Sequence, residues 1–550
     1  MSWPLIAPAL WQEPGLVLQD NSTDQQGAAA PDGLRQRADG LVGLSNMIGR
    51  RAWLRRPAAW ALRWVDVSLR IFVIAFLFAV VIGVIDPFGL KRAGEVQSQR
   101  IAGRMFAPFY GMPPTSAGSP AASAQDHIAV VLIDDHTLQA RESAWPPRYS
   151  YYDEVLRRVL AQQPRAVYVD ILMEQRRDYD DSYTDARDGI AAEIGCAKVP
   201  VLFGVSAPGR RSIFSGVGSA ASGCSTALPA SNSDIVPVAQ DVVTSWKGVG
   251  SDYPLLLAAK NVRDEGWVPS LSTGPGFGAD YRSVALALYQ QACRTRSDAG
   301  CRESARALNA QALGTPMSVQ WGSTLPRLPV QPHGLGCVRT APVGWWSRLA
   351  SAAGLTVDGF LSGLDEQVEN HRRERCAYTL TVFEEQLDDP ALAAVLKDRV
   401  VLIGTRLNGL GDQVISPVHQ QLPGVYLHAM ALDNLMQWGS ERMYTDSLRD
   451  RLSELLGMLL ICFTAGAALL LTPRISPRWL RWLRSAVVVV ACIGSSLLIV
   501  LVSQLYLRQP PGHWLSALVL ACVAIWEVSW WNVREQPSAR PAEIPETIHE

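Results

Sequence analysis

Hydrophobic positions along this chain fall into two patterns. The first is the long run without charge: Ile71–Ile85 (IFVIAFLFAVVIGVI), Leu455–Pro473, Ala486–Leu507 and Trp514–Trp530, the last broken only by Glu527. A helix needs about 20 apolar residues to cross a bilayer, and Val67–Leu69 extend the first run when Arg70 snorkels to the lipid surface. The pattern predicts four transmembrane helices, over 66–86, 452–473, 486–507 and 512–531. Arg50, Arg51, Arg55, Arg56 and Arg63 precede the first, and Arg474, Arg478, Arg481 and Arg484 separate the second from the third. The positive-inside rule places both arginine groups in the cytoplasm. The expected order is then a polar, basic N-terminal segment (1–65), an extracytoplasmic domain (87–451), a cytoplasmic loop (474–485) and a short cytoplasmic tail (532–550). Both termini are expected in the cytoplasm, in a multi-pass protein of the inner membrane with a periplasmic domain. Glu527 sits near Trp526, Trp530 and Trp531, at interfacial depth or against another span or subunit.

The second pattern alternates short apolar strands with amphipathic helices. HIAVVLIDD predicts a central strand over Ile128–Ile133. Ser150 is placed to cap a helix in which Tyr152, Val155, Leu156, Val159 and Leu160 recur at helical spacing. A strand over Ala166–Leu172, a helix around Tyr183–Ile194 and a strand over Val199–Phe203 come next. This βαβ succession predicts a parallel sheet with right-handed crossovers. Farther on, the pattern gives a helix over Tyr281–Cys293, strands over Met317–Trp321 and Arg399–Gly404, and a helix over Val425–Trp438. Gly111–Ala124, Ser206–Ser233 and Glu265–Gly278 read as linker or loop. The fold class is α/β, a mainly parallel sheet with four transmembrane helices.

Charge changes this picture little. Lys+Arg 50 against Asp+Glu 51 leaves a net charge of -1, which excludes a nucleic-acid binder carried by net positive charge. Cysteine usage adds more. Cys462, Cys492 and Cys522 fall in predicted spans, whereas Cys196, Cys224, Cys293, Cys301, Cys337 and Cys376 fall in the domain between them. An even number outside the cytoplasm permits disulfides, with Cys293 and Cys301 the first candidate pair for its short loop; inert buried thiols are the alternative. No CxxC spacing points to a zinc or redox centre.

Candidate chemistry lies at strand ends. Asp134 and Asp135 follow the first strand and Asp170 follows the core of the second, where open parallel sheets bind ligands. Asp at such a position also caps the following turn, and metal binding is a third reading. Arg148 is the candidate contact for an anionic ligand, or a salt-bridge partner of Asp134 or Asp170. His428 and Asp433 are five residues apart and off one helical stripe, so no HExxH-like metal site forms and His428 reads as structural. The acidic run Asp178–Asp188 fails the calcium-loop pattern and reads as a solvated loop. Gly404-Thr405 lacks the spacing of a phosphate loop. No cofactor, metal or catalytic residue is expected. Small residues at Gly466 and Ala467 suit close helix contact.

Two blocks carry a family resemblance. IDDHTL (Ile133–Leu138) with WPPRYSYYDEVLRRVLAQQPRAVYVDIL (Trp145–Leu172), and VVLIGTRLNGLGDQVISPVHQQLPGVYLHAMALDNLMQ (Val400–Gln437), resemble the two halves of CHASE2, a family of bacterial extracytoplasmic sensory domains. The family arrangement of one span before the domain and three after it matches the predicted helices. Relatives typically feed a cytoplasmic cyclase or kinase, and here only about 20 residues follow Trp530, too few to bury a catalytic core. The resemblance implies a sensor of an extracytoplasmic ligand that signals through a separate membrane or cytoplasmic protein. The alternative is a non-catalytic scaffold or assembly subunit whose ectodomain binds another protein. In either case a homo-oligomer or hetero-complex in the inner membrane is expected.

Overall fold

The computed structural model describes residues 61–77, 90–111, 124–207, 210–218, 239–243, 252–256, 282–295, 315–324, 344–361, 377–392, 394–409, 412–439, 447–471 and 478–507. The chain divides into two compact units, 1–63 and 64–550, and the sheet with both of its cores belongs to the second.

Six parallel strands form the centre. They are β1 (Ile128–Asp134), β2 (Ala166–Val169), β3 (Val201–Val205), β4 (Gln240–Val243), β7 (Leu380–Phe383) and β8 (Val400–Arg406), in the order β4-β3-β2-β8-β1-β7. Between β4 and β7 in the sequence, β5 (Asp252–Tyr253) and β6 (Met317–Ser318) pair apart from the sheet, and β9 (Gln413–Ser416) pairs antiparallel with β10 (Gln420–Pro423). Ten α-helices are described: α1 (61–77), α2 (Leu90–Phe106), α3 (Asp135–Ala140), α4 (Tyr149–Ala161), α5 (Tyr183–Ala197), α6 (Val284–Thr295), α7 (Trp345–Leu361), α8 (Val425–Trp438), α9 (Ser447–Leu471) and α10 (Arg478–Val502).

Apolar residues on both faces of a strand require cover on both faces of the sheet. Ile128, Val130, Leu132, Tyr168, Leu202 and Leu402 point into one core beneath α6 and α8. Their alternates Ala129, Val131, Ile133, Val167, Phe203 and Ile403 point into a second core beneath α4 and α5. β8 therefore lies between two strands, β1 and β2, whose onward connections run to the α4/α5 face, while its own connection reaches α8 on the other.

The expected α/β class and parallel pairing match this sheet. Details differ. Ser150 lies inside α4 rather than capping it, because the free helix amides are served from elsewhere: Tyr149 N donates to Asp180 (2.9 Å) and Ser150 N to Ser182 Oγ (3.1 Å). Part of the acidic run is thus a helix support. Burial works against the buried Asp180 carboxylate, but hydrogen bonds from Ser182 and the Tyr149 N–H and the nearby Arg177 hold it below its ordinary pKa. At the end of β7, the fully buried Glu384 contacts Arg158 and lies 3.3 Å from Arg141, tying the strand to α4.

The four expected spans are corrected. Among the described residues no helix is long and apolar enough to cross a membrane. The described part of 66–86 belongs to α1, which carries Asp66 and Arg70, ion-paired at 3.2 Å. The helices containing 452–473 and 486–507 begin with charged turns, Arg449, Asp450, Arg451 and Glu454 in α9 and Arg478, Arg481 and Arg484 in α10. The stretch 512–531 lies outside the described residues. The expected inner-membrane location, multi-pass topology with cytoplasmic termini and periplasmic domain, and the membrane-borne partner, homo-oligomer or hetero-complex rested on those spans and are overturned with them. The expected set of three disulfides is corrected as well. No bridge joins two described cysteines, Cys462 and Cys492 are buried thiols, and Cys224, Cys301, Cys337 and Cys376 lie outside the described residues. Cys196 and Cys293 are not free thiols. Gly466 packs against Ser68 of α1 so closely that an added Cβ would collide with the serine hydroxyl, and Ala467 beside it is partly buried.

Candidate functional site

The carboxyl edge of the sheet gathers polar groups where β2 and β8 end. Tyr168 is fully buried because alternation turns it into the α6/α8 core, yet a buried phenol needs a partner. It finds one two residues on, donating to Asp170 Oδ1 at 2.7 Å. Asp170 N donates to Ile403 O (2.8 Å), which extends the β2–β8 ladder by one bond, to the level of Gly404. Gly404 has a packing reason: a Cβ there would come within 2.6 Å of Val425, so the glycine lets the first turn of α8 lie on β8.

That close approach brings His428, one turn into α8 and 2% exposed, against the same edge. Its ring stands edge-on to Tyr168 and to Tyr253, with centroids 5.7 Å apart in each case. Its Nδ1 is 2.8 Å from the Tyr253 hydroxyl, which also accepts from Ala285 N at 3.3 Å. Asp412, at the entry to β9, completes the set. Gly424 N donates to its carbonyl (3.1 Å), and its carboxylate occupies the space a side chain at 424 would need.

Burial governs the ionisation here. Loss of water raises Asp170 to about 6, against which the Tyr168 hydrogen bond works. Asp412 also rises to about 6, through its surroundings and then Asp170, with His428 offsetting. Burial lowers His428 to about 4, opposed by Asp412. At pH 7 the site therefore holds two carboxylates and a neutral imidazole.

A second polar cluster sits one and a half turns along α8. Asn434 donates to Gln320 O (2.8 Å), Met430 O (2.7 Å) and the Tyr110 hydroxyl (2.9 Å), and its Oδ1 accepts from Gln320 N (2.9 Å). Tyr110 in turn donates to Asp433 Oδ1 at 2.5 Å. Burial raises Asp433 to about 7, the Tyr110 bond opposing.

The residues singled out from sequence take different places. Asp134 caps α3, accepting from Thr137 N (2.8 Å) and Thr137 Oγ1 (2.7 Å). Asp135 accepts from Asn408 N at 2.9 Å. Arg148 is exposed and faces Asp181 at 3.5 Å, so it does not join Asp134 or Asp170. Only Asp170 belongs to the cluster with His428. Asp412, Tyr168 and Tyr253 were missed. Tyr168 and Asp412 lie within the YVD and GD pieces of the quoted blocks, whereas nothing around Tyr253 marks it.

Among the described residues no group of three or more His, Cys, Asp or Glu side chains is arranged to hold a metal ion. No curated protein and no solved structure matches this chain. A family profile does, that of the CHASE2 domain, over residues 97–470. CHASE2 is a non-catalytic sensory domain, so the matched region is not an enzyme. With well over half its length matched, this chain belongs to the CHASE2 family.

Proposed function

We propose that the domain senses a small molecule bound at the carboxyl edge of the sheet, in the crevice between β2 and β8. The observation that carries this reading is the convergence of Asp170, Asp412 and His428 at a point where neighbouring strands send their connections to opposite faces. Crevices of that kind are the usual ligand sites of open α/β sheets. The general sensory role of CHASE2 supports it. α8 suits the task of reporting occupancy, since it carries His428 at one end and the Asp433–Asn434 cluster, which reaches Tyr110 beyond α2, at the other.

A thermal-shift screen of a small-molecule library tests the reading. Stabilising compounds are expected to lose their effect on Asp170→Asn and His428→Gln and to keep it on Asp181→Asn, an exposed control. Compounds indifferent to both crevice substitutions would move the site elsewhere, and a fold that responds only to a protein ligand would favour the scaffold reading.

A further inference from the structure

We infer that the β9–β10 hairpin is a strap coupling the start of α8 to α2, the helix in which the family match begins, so that a change at the carboxyl edge of the sheet is passed to α2. The inference names how the site proposed above is read out and rests on that reading. The hairpin is pinned at both ends. At its root Gly424, which opens α8, donates its N–H to Asp412 O at 3.1 Å, and the Asp412 carboxylate fills the space a side chain at 424 would take. At its tip Pro417 lies on α2. A Cβ at Gly103 would come within 2.7 Å of the proline ring, and Arg104 Nε donates to Pro417 O at 2.8 Å. Glycine inside a helix is unfavourable on backbone grounds, and this close approach accounts for the one at 103.

Between the ends the hairpin is slight. Four residue pairs join its strands, from Gln413–Pro423 to Ser416–Gln420, and no third strand joins them among the described residues. Val414, Val418 and Leu422 turn into the core that holds Ile101 and Met105 of α2, while Ile415 on the outer face is 53% exposed. Pro423 has no N–H to add to the ladder. A two-stranded hairpin of this size is marginal by itself, so it stays formed because its root and tip are both held. Releasing either end weakens what keeps the other in place. That shared dependence is the physical source of the coupling, and it runs equally in both directions.

The test is amide hydrogen exchange of the full chain without ligand, in wild type, Gly103→Ala and Arg104→Met. Alanine favours the helix, so the first variant pushes on Pro417 without weakening α2. The second removes the bond to Pro417 O. Val418 N and His419 N, which donate to Ser416 Oγ at 3.2 Å, report the tip, and Gly424 N reports the root. Both variants are expected to speed exchange at the tip, with Gly424 following by at least about tenfold while β1 keeps its wild-type protection. Gly424→Ala, pressing on the Asp412 carboxylate, should loosen Val418 and His419 in return. Should that variant lose β1 protection, the two α2 variants decide alone. A faster tip with an unchanged Gly424, or a tip unchanged in both α2 variants, would overturn the strap. If library ligands depend on Asp170 and His428 but the root ignores the tip, the strap is wrong and the crevice stands. If the root follows the tip and no ligand depends on those residues, the coupling stands and the crevice reading fails.

Discussion

Helix α8 carries two polar clusters within three turns, and they differ in how completely their atoms are paired. Around Asn434 each amide atom has a partner, and the cluster joins three separate pieces of chain: α8, the segment after β6 and Tyr110. Around His428 the pairing is thinner: Asp170 accepts from Tyr168, His428 meets Tyr253 through Nδ1, and among the described residues no arginine or lysine forms an ion pair with Asp170 or Asp412. Fully paired buried networks specify a fold, whereas part-paired ones are tolerated where something else completes them. A single stretch, HAMALDN, thus supplies a site and a fastening little more than a turn apart.

Four measurements break or sharpen that contrast. The largest effect is expected from Asn434→Ala. It strips Gln320 N and O of their partners and leaves them buried, which should cost about 2–4 kcal/mol in urea denaturation. Next is the pH dependence of stability. The folded pKa of Asp433 lies near 7 and the unfolded one near 3.8, so the native state binds the proton more tightly between them. Stability must then fall as pH rises through about 4 to 7, with a slope approaching about 1.4 kcal/mol per pH unit, and Asp433→Asn should flatten it. His428 works in the opposite sense: its folded value is near 4 and its unfolded value 6.5, so its contribution is lost as pH falls from about 6.5 to 4, and His428→Gln should remove that loss. Smaller again is Tyr110→Phe, expected to cost about 1–2 kcal/mol for loss of the hydroxyl that donates to Asp433 and accepts from Asn434. The smallest is Asp170→Asn, within about 0.5 kcal/mol of wild type or slightly stabilising, since it removes an unfavourable buried charge along with one bond. A loss as large as that of Asn434→Ala would make the His428 cluster a second fastening and erase the contrast.

Legibility in the sequence divides along the same line between local and long-range signals. β1, β2, β3 and β8 are central, covered on both faces, and so are written as unbroken apolar runs; α8 is delimited to the residue because its glycine-bounded apolar stretch is read locally. β4 and β7 were not anticipated, being four-residue edge strands whose pairing depends on neighbours far off in sequence. The β9–β10 hairpin escaped for a related reason, since Pro423 ends a polar strand with little alternation. In the site, Asp170 is visible because a carboxylate after a buried strand is a local signal. Tyr253 is not, because it meets His428 across 175 residues through a two-residue strand. The uncharged runs among the described residues misled, since apolar length alone does not make a span, and α9 packs Ile461, Cys462 and Ala465 inward while Leu456 and Leu460 stay exposed.

The short edge strands have a consequence for how the protein behaves in concentrated solution. A sheet whose inner strands run to seven residues, β1 and β8, ends on β4 and β7 with only four each. An incoming extended chain adds to a sheet by copying its outermost ladder, and here that template is brief. On the β7 side it also stops at once, where the chain turns into the Glu384 anchor held by Arg141 and Arg158. The long, aggregation-prone apolar segments are kept in the interior of the sheet, and the borders offer little for fibre growth to propagate from.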